Sequence, residues 1–203
     1  MANRFVVHGQ RGSGSVAVEA ALTLLGLPYA VEEDPSKANP LAQAPALILP
    51  GGETMTESAA ILIWLADAYP AGAVAPPPAS ARRPAFLRWM AFVSSAIYAL
   101  YWVKDDPSRL LADEAAQGEI RARLAERIAH CWSVMEAALT PAPFLLGESM
   151  SVLDLYVTVV SRWTPRKALH ESVAPRIGGV VRRVEADPRL AALWAERFPL
   201  RES

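Results

Sequence analysis

The sequence predicts an α/β unit followed by an all-α region. Three observations carry that reading. Short β-type runs alternate with one helical run over the first third of the chain. A proline-rich stretch then interrupts the pattern, and everything beyond it has helical periodicity. The boundaries that follow are residues 1–69 for the α/β domain, 70–80 for the linker and 81–203 for the helical domain.

Phe5 to His8 (F-V-V-H) reads as the first strand. The segment Gly9 to Ser15 leads into a helix from Val16 to Leu25, with Val16, Ala20 and Leu24 on one face and Gly26 ending it. A second strand follows from Ala30 to Glu32, so the opening is a β-α-β unit. A glycine-rich turn before a helix suggests a phosphate loop. The Lys-Ser/Thr end of such a loop is missing here, and G-x-G-x-x-G is not spelled. Glu33 to Ala44 reads as an irregular or weakly helical crossover. Ala46 to Leu49, bounded by Pro45 and Pro50, reads as a buried strand. Gly51-Gly52 suits a hairpin turn, because glycine tolerates positive φ. Thr54 to Thr56 returns as the fourth strand. Thr56 or Ser58 is then expected to cap the next helix, with Glu57 in its electropositive first turn. Ala60, Ile61, Trp64, Leu65 and Ala68 are expected to face the core.

Pro70 to Ser80 holds three successive prolines, which favour extended geometry over helix. Arg82 to about Val103 is long and aromatic. Ala112 to Leu139 is amphipathic, with Ile120, Leu124, Ile128, Trp132 and Met135 on its apolar face. Ser151 to Trp163, Val173 to Glu185 and Pro188 to Arg197 complete the helices. Gly147 to Asp154 (G-E-S-M-S-V-L-D) spells a capping box, with Ser151 and Asp154 exchanging hydrogen bonds across the first turn.

Charge and cysteine content narrow the function classes. The chain has 203 residues and a formal net charge of −1, which offers no electrostatic case for a nucleic-acid surface. Cys131 is the only cysteine, so an internal disulfide or a cysteine-based metal cluster is impossible, as expected of a protein from a reducing compartment. No unbroken run of about 18 apolar residues occurs. The expectation is a soluble cytoplasmic protein without a metal. Cys131 is expected to be a buried structural thiol, and His8 a strand residue turned inward or to the rim.

The stretch N-P-L-A-Q-A-P-A-L, followed by a short hairpin and E-S-A-A-I, resembles the glutathione-binding half of the cytosolic glutathione transferases. The matching residues are Asn39, Pro40, Pro45, Leu47, Glu57, Ser58, Ala60 and Ile61. Ala42 stands where the family usually has glycine, and Ala44 where it usually has valine. The pattern G-x-x-x-S-x-x-D at Gly147, Ser151 and Asp154 is a second family mark. The resemblance implies a thioredoxin-like N-terminal domain, β-α-β-α-β-β-α, and an all-α C-terminal domain. It implies a cis Ala44-Pro45 bond that turns the Ala44 N–H and C=O toward a peptide ligand held like an added strand. Gln43, Ala44, Pro45, Glu57 and Ser58 then form the glutathione site. The N–H groups at the start of the helix that follows Glu57 hold the γ-glutamyl carboxylate, and the Glu57 side chain faces its ammonium. The implied reaction joins the glutathione sulfur, as co-substrate, to a small apolar electrophile. A glutathione-dependent isomerase or dehalogenase, or a non-catalytic binding or assembly module, is the alternative. A homodimer is implied, through the helix carrying Trp64 and the helix carrying Phe86.

Activation of the thiol needs a donor near the first helix. A free thiol with a pKa near 8.5 is only a few per cent ionised at neutral pH. Lowering that pKa by about two takes roughly 2.7 kcal/mol. One hydrogen bond to a charged acceptor supplies about 1.5–3 kcal/mol, and a helix N-terminus about 0.3–1. Between Met1 and Pro28 there is no tyrosine. Aligned back from Gly26 to Tyr29, the beta-type cysteine position falls on Gly14, and a zeta-type loop serine falls on Ser13. Ser13 is therefore the expected catalytic hydroxyl, with Ser15, two residues on, as the alternative or as the helix N-cap. Without a loop cysteine, disulfide chemistry is disfavoured. Arg11, Met90, Ser94, Tyr98 and Tyr101 are the expected substrate-pocket residues.

Overall fold

The computed structural model describes residues 4–199. Its α/β domain holds strands β1 (Phe5–His8), β2 (Tyr29–Glu32), β3 (Ala46–Ile48) and β4 (Thr54–Thr56), with helices α1 (Ser15–Leu24) and α2 (Ser58–Ala68). The sheet order is β2-β1-β3-β4. Strands β1 and β2 run parallel, and β1–β3 and β3–β4 are antiparallel. The parallel pair follows from the α1 crossover, and the antiparallel pair from the tight Gly51-Gly52 turn. Gly52 adopts φ +91 and donates its N–H to the Leu49 carbonyl at 2.8 Å.

Helix α1 is buried from Ser15 to Leu22, because the sheet covers one side and the helical domain the other. Gly26, at φ +65, stops it, and its N–H reaches the Thr23 carbonyl. The expected second helix of the β-α-β-α-β-β-α order is a single 3-10 turn, Pro35–Lys37, capped by the Asp34 carboxylate on the Ser36 N–H. Pro35 and Pro40 leave too little continuous chain for more. The buried stripe of α2 is also displaced from expectation. Ser58, Ile61, Leu62, Leu65 and Ala66 face inward, whereas Ala60 and Ala68 are exposed.

Eight α-helices are present among the described residues. The six in the helical domain are α3 (Arg83–Phe92), α4 (Ala99–Asp105), α5 (Glu114–Ala138), α6 (Val152–Ser161), α7 (Pro175–Glu185) and α8 (Ala191–Arg197). A π-helical segment, Val93–Tyr98, joins α3 and α4 into one continuous rod. By length and mean hydropathy (1.3) this rod, Arg83–Asp105, qualifies for a membrane span, although it carries no unbroken apolar run. In the fold one face of this rod packs into the core and buries Phe86, Trp89, Met90, Val93, Ile97 and Tyr101. On α5 the apolar face is fully buried only from Ile128 onward, while Ile120 and Leu124 are half exposed. Cys131 is buried.

Two devices join the domains. Helix α6, buried along its whole length, packs on both α1 and α2. Arg83 at the start of α3 pairs with both oxygens of Asp67 at the end of α2, at 2.9 and 2.6 Å, and donates to the Pro76 carbonyl. The Ser151–Asp154 capping box starts α6. The Asp154 carboxylate accepts from the Ser151 N–H and hydroxyl and from the Leu145 N–H, all within 2.8 Å.

Candidate functional site

A cleft of about 860 Å³ opens between the α/β domain and the α3–α4 rod. On one side stand the loop before α1, the segment before β3 and the start of α2. On the other stand Ser94, Tyr98, Tyr101, Trp102 and, from beyond α6, Trp163.

The segment before β3 is built by Asn39. Its buried side chain donates Nδ2–H to the Gln43 carbonyl at 2.8 Å and accepts the Leu41 N–H at 3.0 Å. Ala42, between these two anchors, is forced to φ +53. This left-handed geometry costs an L-residue roughly 1–2 kcal/mol, which is the physical reason a glycine suits the position. The Ala44-Pro45 bond is cis. Ala44 is half-buried at the cleft, Pro45 is buried, and the Gln43 side chain is exposed at the rim.

Neither Thr56 nor Ser58 caps α2. Thr56 stays in the ladder opposite Ala46, and Ser58 is already the first helical residue. Glu57 holds the N-cap position at φ 66, ψ 104, with no side-chain cap. A non-glycine residue in that region is strained, and such strain concentrates at ligand-binding positions. The exposed Glu57 side chain lines the cleft, and the first-turn N–H groups of α2 have no intrahelical acceptor. The Ser58 hydroxyl crosses between domains and donates to the Tyr156 hydroxyl of α6 at 2.9 Å.

The loop before α1 is arranged differently. Ser13 lines the cleft. Its single hydroxyl proton has two acceptors, the Gln10 carbonyl at 2.8 Å and Ser15 Oγ at 3.0 Å, and its oxygen accepts from the Gln10 and Ser15 N–H groups. Ser15 is fully buried and does not line the cleft; it donates to Glu19 Oε1 at 2.9 Å. It is not the helix N-cap, a position that Gly14 takes without any side-chain bond. Glu19 is fully buried in α1 and pairs with Arg197 of α8 at 2.8 Å. Arg197 also reaches Glu33, which pairs with Arg11 at 3.9 Å. The Arg197 carbonyl accepts the Gly12 N–H, and Trp163 Nε1 donates to the Gly12 carbonyl at 2.7 Å. The loop is thus held by residues from the far end of the chain.

The expected pocket residues divide. Arg11, Ser94, Tyr98 and Tyr101 line the cleft. Met90 does not: it is fully buried in the core of the helical domain, because the inward face of the α3–α4 rod carries it away from the cleft. Phe86 is likewise buried and presents nothing to a partner, whereas Leu87 beside it is 41% exposed. His8 is buried on β1, its Nδ1 donating to the Asp34 carbonyl at 2.9 Å. Burial raises the Tyr98 and Tyr101 phenols well above their ordinary range, Tyr101 to about 12. The sequence reading missed Glu19, Arg197 and Tyr156. A lone acidic residue inside V-A-V-E-A-A-L was the one signal for Glu19.

A mixed four-stranded sheet, a cis-proline segment beside a helix N-terminus and a helical domain closing the cleft define a thioredoxin-like domain joined to an all-α domain. Residues 15–68 match the glutathione S-transferase N-terminal domain family. The chain is 29% identical to YncG, an uncharacterised GST-like protein of Escherichia coli K12, over 91% of this chain and 94% of that one. It is 26% identical to glutathione S-transferase GstA of Escherichia coli O157:H7, over 81% and 79%. A glutathione transferase homologue from Sulfitobacter, crystallised with bound glutathione, superposes with a TM-score of 0.83 at 24% identity, covering 95% of this chain and 98% of that one. The chain is thus similar to glutathione S-transferases over nearly its whole length, and residues 15–68 carry the N-terminal domain of that family.

Proposed function

We propose that the cleft binds glutathione and presents its sulfur to a small electrophile seated against Tyr101, Trp102 and Trp163. One observation carries this reading: the backbone of Ala44 beside cis Pro45 and the first turn of α2 open onto the same cleft. A γ-glutamyl peptide paired with Ala44 places its γ-glutamyl carboxylate at the α2 N–H groups, where a helix N-terminus favours an anion. Its ammonium then meets Glu57. Glutathione, present in the Sulfitobacter structure, has this chemistry. Of the two loop serines only Ser13 lines the cleft, and it would reach the sulfur only by turning its proton away from Gln10.

A second reading, glutathione binding without thiol activation, is favoured by the inward bonds of Ser13 and Ser15. Calorimetry with glutathione, followed by turnover with a generic aryl halide, separates the two. Binding with turnover supports the enzyme, binding without turnover supports the module, and no binding rejects both. A homodimer through α2 and the exposed Leu87 face of α3 belongs to the same proposal, as does a cytoplasmic setting. A 21.9 kDa particle in light scattering at micromolar protein would exclude the dimer.

A further inference from the structure

We propose that the hydroxyl of Tyr98, a residue of the helical domain, is the group that donates to the glutathione sulfur, and that Gly14 is the residue that makes room for it. The inference rests on the glutathione reading above. A Cβ placed on Gly14 would lie 2.4 Å from the Tyr98 hydroxyl oxygen and 2.7 Å from its Cε1. The phenol therefore occupies the space into which a side chain of the loop itself would project, at the N-terminus of α1.

The same hydroxyl donates to the Ala44 carbonyl at 3.3 Å. That is longer than the 2.5–3.0 Å range of ordinary O–H···O bonds, so the donor is held in place but only weakly engaged. Tyr98 thus bridges the first turn of α1 and the backbone on which the peptide pairs. The middle residue of a tripeptide paired at Ala44 sends its side chain into this gap. In glutathione that side chain is the thiol. The thiol proton leaves to solvent, the thiolate accepts the Tyr98 O–H, and no covalent bond to Tyr98 is made or broken.

The competing hydroxyls are committed elsewhere: Ser13 gives its proton to Gln10 or Ser15, and buried Ser15 gives its own to Glu19. The Tyr98 ring is fixed by Trp163, 4.6 Å between centroids, and by Tyr156 at 6.2 Å. Burial, with Tyr156 and Glu57 nearby and the Gly14 backbone opposing, keeps the phenol protonated at neutral pH. It is therefore a donor and not a base.

The test is a pH titration of thiolate absorbance in the glutathione complexes of wild type, Tyr98→Phe and Ser13→Ala, alongside calorimetric Kd values. Tyr98→Phe keeps the ring packing. It is expected to raise the pKa of the bound thiol by about one to two and to lower neutral-pH turnover roughly tenfold to a hundredfold, with Kd changed less than about threefold. Gly14→Ala, which pushes the phenol aside, should produce the same titration shift. If Tyr98→Phe titrates like wild type, or if Ser13→Ala alone moves the curve, the inference is overturned. If wild type binds glutathione but its bound thiol titrates near the free value of about 8.5, this inference fails while the binding reading stands. If wild type binds no glutathione, both fail.

Discussion

Two helix N-termini face one cleft and are built in opposite ways. The start of α2 is exposed and strained: Glu57 sits at positive φ with its carboxylate free to a ligand. The start of α1 is closed, with Ser13 and Ser15 feeding inward to Glu19 and Arg197. An open, strained terminus suits gripping a charged ligand end. A terminus whose hydroxyls are already satisfied suits holding a rigid wall, against which another residue places its donor. The difference teaches that the helix N-terminus alone does not set chemistry; the bonds already made there do.

The largest expected effect comes from breaking the closed terminus. Glu19→Ala removes the buried partner of Arg197 and the acceptor of Ser15. Breaking one side of a buried pair costs about 3–5 kcal/mol, readable as a lowered urea midpoint. If the closed terminus is a structural wall, the loss is in stability. A variant that keeps its midpoint and loses only turnover would refute the comparison.

Acid sensitivity must be separated from the site. His170 is buried with neither ring nitrogen bonded, and burial lowers its pKa to about 4. The folded state therefore binds fewer protons than the unfolded chain below pH 6.5. Stability contributed by the neutral ring is complete above about pH 6.5 and is lost as pH falls toward 4. His170→Leu should flatten that part of the stability–pH curve and leave thiol titrations unmoved. A persistent slope would assign the acid loss to another group.

At the open terminus, Glu57→Ala is expected to weaken glutathione binding by about 1.5–3 kcal/mol, the scale of one hydrogen bond to a charged group. An unchanged Kd in calorimetry would place the ligand elsewhere. The smallest effect is expected at Ala42→Gly. Relief of the left-handed strain, less the entropy glycine adds to the unfolded chain, should raise stability by about 0.5–1 kcal/mol. A destabilised variant would mean that the Asn39 anchors do not impose the strain.

The open terminus was the legible one. Its features are local: Pro45 fixes the segment, Gly51-Gly52 fixes the hairpin, and the Glu57-Ser58 pair follows at set spacing. Even so, the cap at Thr56 or Ser58 was misplaced, because no local rule foretells positive φ at a glutamate. The closed terminus was hidden. Ser15 reads as an ordinary cap until Glu19 and Arg197, 178 residues apart, are brought together. Tyr98 reads as a pocket wall until Gly14 shows the space that it fills.

The sequence by itself determined the four strands and the two α-helices among them, the hairpin and the capping box. These depend on neighbours a few residues apart, through φ preferences, hydrophobic period and capping. The tertiary structure alone decided which partners the loop hydroxyls take, that Met90 and Phe86 turn into the core, and that a phenol from the helical domain stands at the α1 terminus. Those outcomes depend on where whole helices pack, and one hydroxyl proton can satisfy only one strong acceptor at a time.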